Sequence, residues 1–142
     1  MTLISQILQA KGGKTWTVLP NTTVYDALSL MAQKDIGALV VVENDTVIGL
    51  FSERDYARKV ILQGKSSKDT EVNEIMTDEV LCVGPDQTVA KCMALMTEKR
   101  IRHIPILDKG QLVGVISIGD VVKAIITEQQ IIINHLEDYI YS

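Results

Sequence analysis

The sequence predicts an α/β (α+β) fold made of two tandem β-α-β-β-α repeats. Shifting the chain by 65 positions aligns Val18 to Ile61 with Val83 to Ile126 without a gap, matching Pro20/Pro85, Thr23/Thr88, Met31/Met96, Gly49/Gly114, Ser52/Ser117 and Asp55/Asp120 among others. Within each copy the apolar spacing changes from helical to short runs bounded by turn residues. A chain of 142 residues, 46% hydrophobic and 23% charged, has the size and balance of one compact domain, which excludes a disordered or fibrous chain.

A short amphipathic helix is predicted ahead of each copy, where Thr2, Ile4, Ile7 and Leu8 align with Thr70, Val72, Ile75 and Met76 at a shift of 68. The first copy thus carries three extra residues near Lys11 to Trp16. An extended segment follows, Thr15 to Leu19 or Val80 to Val83, stopped by Pro20 or Pro85. Thr22 or Asp86 is the expected N-cap of the next helix, whose apolar face is Val24, Ala27, Leu28 and Met31, or Val89, Cys92, Met93 and Met96. Two strands come next. Ala38 to Val42 and Val47 to Phe51 flank Asn44 and Asp45, while Ile104 to Leu107 and Leu112 to Ile116 flank Asp108, Lys109 and Gly110. A closing helix starts at Ser52 or Ser117. The polar stretch Gly64 to Asp69 is short enough that the copies should pack together, giving an expected division into 1–69 and 70–142 within one module.

A net charge of −4 repels a phosphate backbone at long range, so nucleic acid is not an expected partner. Apolar runs such as Ala38 to Val42 and Ile131 to Ile133 fall far short of the roughly 20 residues that span a bilayer, and no basic region followed by a long apolar stretch opens the chain. A cytoplasmic protein with no membrane partner is expected. Cys82 and Cys92 are too far apart for a CxxC pair and lie in apolar surroundings, as buried free thiols do.

The strand-to-helix junctions Gly49-Leu50-Phe51-Ser52-Glu53-Arg54-Asp55 and Gly114-Val115-Ile116-Ser117-Ile118-Gly119-Asp120 each open a helix with Ser-x-x-Asp. Such a pair forms a capping box that satisfies free backbone N–H groups. The same geometry suits ligand binding, because a helix N-terminus attracts anions and a carboxylate there can accept from two ribose hydroxyls. Gly49 and Gly114 inside strands point to close approach of a ligand or of another part of the chain. In the second copy Lys99-Arg100-Ile101-Arg102-His103-Ile104-Pro105 leads into a strand, with Arg102 offering forked donors and His103 an imidazole N–H suited to phosphate. Gly37-Ala38 stand where the first copy would need the Arg-His pair, so the copies are chemically unequal. Arg54, Arg58 and Lys59 form a second basic group, which an ordinary helix surface would also explain.

The duplicated β-α-β-β-α pattern, each copy ending in Gly-apolar-apolar-Ser-x-x-Asp, together with Arg102-His103-Ile104-Pro105, resembles a tandem CBS-domain pair, or Bateman module, over nearly the whole chain. The resemblance implies two repeats packed with pseudo-twofold symmetry, clefts between them for adenosine-containing ligands such as AMP, ATP, NAD or S-adenosylmethionine, and pairing into a homodimer. It implies that Asp55 and Asp120 hold ribose hydroxyls, that Ser52 and Ser117 lie near ribose or phosphate, and that Arg102 and His103 face phosphates, with Arg54 a substitute in the first copy. Backbone around Thr17, Val18, Ile36, Gly37, Ala38, Leu81, Cys82 and Ile104 would frame the base, and Pro105 belongs to the same nucleotide-binding set.

Beyond Ile126 the last helix continues through Ile131, Ile132, Ile133, Leu136, Tyr139 and Ile140, a face that must pack on the chain's own N-terminal helix or across a dimer. His135 is expected on the helix surface. No nucleophile beside a base, no paired catalytic carboxylates and no metal-ligand spacing stand out, so a non-catalytic energy or redox-state sensor is expected, acting on a regulated protein that the residues do not identify. The nucleotide would be a ligand and not a catalytic cofactor. The alternative is a structural dimerisation or docking module whose Ser-x-x-Asp motifs only cap helices.

Overall fold

The computed structural model describes residues 1–141. In chain order the elements are α1 (Ile4–Lys11), β1 (Thr17–Val18), α2 (Val24–Lys34), β2 (Ala38–Glu43), β3 (Thr46–Ser52), α3 (Glu53–Tyr56) continued by a π-helical turn at Ala57–Ile61, α4 (Val72–Ile75), α5 (Val89–Lys99), β4 (His103–Asp108), β5 (Gln111–Ser117) and α6 (Ile118–Tyr141). The architecture is mixed α/β with two small sheets, as the repeat predicts. Among the described residues no helix is long and apolar enough to cross a membrane.

The chain forms two compact units whose boundaries cut across the repeat. The first comprises Thr15–Leu81 with Gly110–Leu112; the second comprises Met1–Lys14, Cys82–Lys109 and the chain from Val113. Each unit takes its short leading helix from the far side of residues 69 and 70. In the first unit Val72 and Ile75 of α4 join Val24, Ala27, Met31, Leu39, Val41 and Phe51 in one core. In the second, Ile4 and Ile7 of α1 join Val89, Cys92, Met96, Ile104, Ile106 and Ile116. A fully buried Ile or Val contributes about 1.5–3 kcal/mol, so each two-residue insertion is a large share of a small core.

The helices start where hydroxyl caps allow. Thr23 and Thr88 are the N-caps of α2 and α5, their side chains accepting from the backbone N–H of Asp26 and Lys91. The expected caps, Thr22 and Asp86, lie one and two residues too early. The Thr22 hydroxyl instead accepts from the Leu19 N–H and ties the preceding turn. Both helices end on a left-handed residue, Asp35 at φ 54° and Arg100 at φ 54°.

In the first unit β1 runs parallel to β2 and β2 antiparallel to β3, with Ala38 opposite Ser52 and a bulge between Val41 and Val42. The hairpin turns on Asn44 and Asp45, both at positive φ, the backbone that short side-chain amides and acids tolerate. In the second unit β4 pairs with β5. The extended segment expected at Val80 to Val83 contracts there to one parallel bridge, Val83 to Ile106. Pro105 occupies the place of Val40, the partner of Thr17, and has no N–H to extend the ladder.

The strand glycines admit the leading helices. A Cβ on Gly49 would collide with the Met76 side chain just past α4, and one on Gly114 with a Leu8 methyl of α1. The close approach expected at both positions is thus made by side chains of the same unit.

Ile4→Ala should lower stability by about 2–5 kcal/mol and speed amide exchange in α5, β4 and β5 while α2 to β3 keep their protection. Loosening of α2 to β3 instead would contradict the assignment of α1 to the second unit.

Candidate functional site

Both Ser-x-x-Asp motifs sit at strand-to-helix junctions and form capping boxes. Ser52 donates its N–H to Asp55 Oδ2 at 3.0 Å, and Asp55 N–H returns to Ser52 Oγ at 3.2 Å. Ser117 N–H donates to Asp120 Oδ2 at 2.9 Å, and Asp120 N–H returns to Ser117 Oγ at 3.1 Å. In each unit the first helical N–H ties this end to the start of the neighbouring strand: Glu53 donates to the Gly37 carbonyl at 3.1 Å and Ile118 to the Arg102 carbonyl at 2.8 Å. The fold thus brings Ile36, Gly37 and Ala38 beside Ser52, Arg54 and Asp55, and Arg102, His103 and Ile104 beside Ser117 and Asp120.

The two acids live in different surroundings. Asp55 is 7% exposed, and both its oxygens accept. Oδ2 takes the Ser52 N–H and hydroxyl, while Oδ1 takes the Thr77 hydroxyl at 3.2 Å and the Lys59 ammonium at 3.1 Å. Lys59 Nζ also donates to the Ile75 carbonyl at 3.1 Å, so the network reaches the end of α4. The side chain of Asp120 keeps 23% of its surface exposed, and its partners Ser117 and Lys11 converge on Oδ2, Lys11 at 2.7 Å. Lys11 Nζ also donates to the Val115 carbonyl at 2.9 Å, which pins the end of α1 over the junction. Burial alone would raise the pKa of Asp120, but the Lys11 hydrogen bond, the Ser117 N–H and the Lys11 charge together hold it below its ordinary value.

Other expected residues take varied places. Arg102 is exposed, His103 half-buried, and Ile104 and Pro105 buried in β4. Thr17 and Val18 form β1, on the far side of β2 from the Ser52 strand, with Val18 in the core. Leu81 closes the main segment of the first unit and Cys82 opens one of the second. Cys82 is half-buried and Cys92 buried; neither is in a disulfide among the described residues, and burial raises both thiol pKa values. Sequence reasoning missed Lys11 and Thr77, the groups that anchor the two acids. Only the extra residues near Lys11 marked that region, and they carry no information about what it touches.

A lowered carboxylate pKa stabilises the fold above the unfolded value of about 3.9, and that contribution disappears as pH falls through the folded value. Lys11→Met should therefore move the Asp120 titration upward in carboxyl-detected NMR. Its stability deficit against the wild type should be full at neutral pH and vanish at strongly acid pH; a midpoint that does not move would dismiss the ion pair.

Comparison with known proteins identifies the family and supports the fold. The CBS domain pattern matches residues 14–61 and 72–127. The mitochondrial CBS domain-containing protein CBSX3 of Arabidopsis thaliana is 43% identical over 98% of this chain and 72% of its own length. A solved CBS-domain protein from Burkholderia ambifaria is 56% identical with a TM-score of 0.86, covering 90% of this chain and 96% of that one. The hexameric CBS-CP12 protein of bloom-forming cyanobacteria is 30% identical with a TM-score of 0.77, over 86% of this chain and 70% of that one. Two matched segments, relatives aligned over most of their length, and the doubled Ser-x-x-Asp junction together place this chain in the CBS-domain family, with two CBS repeats in tandem.

Proposed function

We propose that the chain is a non-catalytic regulatory module that binds adenosine-containing nucleotides of the AMP, ATP or NAD type and reports energy or redox state. The observation that carries this reading is the Asp120 junction: a partly exposed carboxylate at a helix N-terminus, held ionised and joined through the Ile118 N–H to the segment bearing Arg102 and His103. An ionised acid accepts from vicinal ribose hydroxyls, and helix-end N–H groups with Arg and His donors favour phosphate. In this reading Ser117 and Asp120 contact ribose, Arg102 and His103 phosphate, and backbone at Cys82, Ile104 and Pro105 the base.

The matching set in the first unit, Thr17, Val18, Ile36, Gly37, Ala38, Ser52, Arg54, Asp55 and Leu81, would form a weaker site. A ribose would have to displace Thr77 or Lys59 from a nearly closed carboxylate and would find Gly37 and Ala38 where the second unit has Arg102 and His103. The closed Asp55 network favours the second reading, a docking module in which the motif only caps a helix. Self-association belongs to either reading and is supported by the hexameric cyanobacterial relative, with a homodimer as its smallest form. A cytoplasmic setting is part of the proposal, and the mitochondrial designation of the Arabidopsis relative names the alternative that cell fractionation would detect.

A thermal-shift panel of AMP, ADP, ATP, NAD, NADH and S-adenosylmethionine tests the proposal on the wild type, Asp120→Asn and Asp55→Asn. A ligand at 100 times its Kd adds about 2.7 kcal/mol to the folded state. One nucleotide should stabilise the wild type, Asp120→Asn should abolish the response, and Asp55→Asn should leave most of it. Silence across the panel would favour the docking module, and turnover of ATP or NAD that Asp120→Ala abolishes would overturn the non-catalytic assignment.

A further inference from the structure

A groove of about 530 Å³ lies between α1 and the first half of α6, within the second unit. Lys11, Asp120 and Lys123 stand at one end, and Ile131 and Ile132 at the other. Ile131 is eight positions beyond Lys123 on the helix, which sets the two ends about 12 Å apart. Ile7, Ala10 and Ala124 line the space between them.

The two repeats differ at this place. The 65-position shift pairs Asp120 with Asp55 and Ala124 with Lys59, and the 68-position shift pairs Ile7 with Ile75. In the first unit the Lys59 side chain bridges the other two, its ammonium 3.1 Å from Asp55 Oδ1 and 3.1 Å from the Ile75 carbonyl. In the second unit all three counterparts line the groove, and Ala124 leaves open the volume that a lysine stem takes up in the first. Asp120 draws its ammonium from Lys11 on α1 instead, at 2.7 Å.

We infer that this groove binds a small aliphatic carboxylate, its head at Lys123 and its chain along Ala124 and Ile7 toward Ile131. The volume lies within the range of small-molecule sites. Charge selects the head group. Lys11 and Asp120 neutralise each other, and Glu128 pairs with the Met1 ammonium at 3.2 Å, whereas Lys123 makes no ion pair among the described residues. The charge left over on the groove wall is therefore positive, and it stands next to an apolar floor. A single anion carrying an aliphatic chain complements both, while an amine of the same length meets like charge. Seating the chain removes apolar surface from water on both partners.

The full-length chain tests this with octanoate as the probe, and the test does not depend on nucleotide binding. Calorimetry should give one octanoate per chain, with NMR shifts at the methyls of Ile7, Ile131 and Ile132 and none at Val24 or Val41 of the first unit. Octylamine should bind about tenfold more weakly, and Lys123→Gln should weaken octanoate about tenfold. Ala124→Lys, which installs the side chain of the first copy, should abolish binding while amide protection in β4 and β5 persists. Three results would each overturn the assignment: no octanoate bound at about 1 mM, octylamine bound as tightly as octanoate, or Ala124→Lys bound as tightly as the wild type. A dimer that shields Ile131 and Ile132 from octanoate would do the same, giving the groove to a second copy.

Discussion

Each core in this protein is closed by a helix that comes from outside its own repeat, and most of the structure depends on that insertion. Ile4 and Ile7 complete the second unit, and Val72 and Ile75 the first. Strand glycines leave room for the docking, since a Cβ at Gly49 or Gly114 would meet the side chain of Met76 or Leu8. With about 0.05–0.15 kcal/mol of net stability per residue available to an ordinary domain, two buried aliphatic side chains decide whether such a unit folds.

The same insertion furnishes the candidate sites. Helix α1 ends in Lys11, which reaches Asp120; the turn after α4 carries Thr77, which reaches Asp55. The second acid thereby gathers its partners on one oxygen and keeps part of its surface exposed, whereas the first accepts on both oxygens and is nearly closed. Two motifs of the same pattern thus acquire different chemistry.

The local features that the sequence expressed well were those governed by short-range physics. Positive φ at Asn44 and Asp45 and the Ser-x-x-Asp boxes are properties of four to six consecutive residues, and they appear where the residue types indicated. The helix caps slipped by a residue or two because several hydroxyls and acids stand together before each helix, and only the competing turn, which uses Thr22, selects among them. The shortened ladder at Val83 follows from a proline whose effect depends on which neighbour it faces.

By itself the sequence determined the duplication, the type and order of the elements apart from the strand expected at Val80 to Val83, the family and the inequality of the two copies, because apolar period, turn chemistry and motif spacing are all encoded within one repeat. The tertiary structure alone decided which leading helix fills which core and what each aspartate holds. The reason is range: Lys11 and Asp120 stand 109 positions apart, and no local pattern specifies a contact between them. Burial of Ile4 and Ile7 sets the end of α1 at the junction where the contact is made.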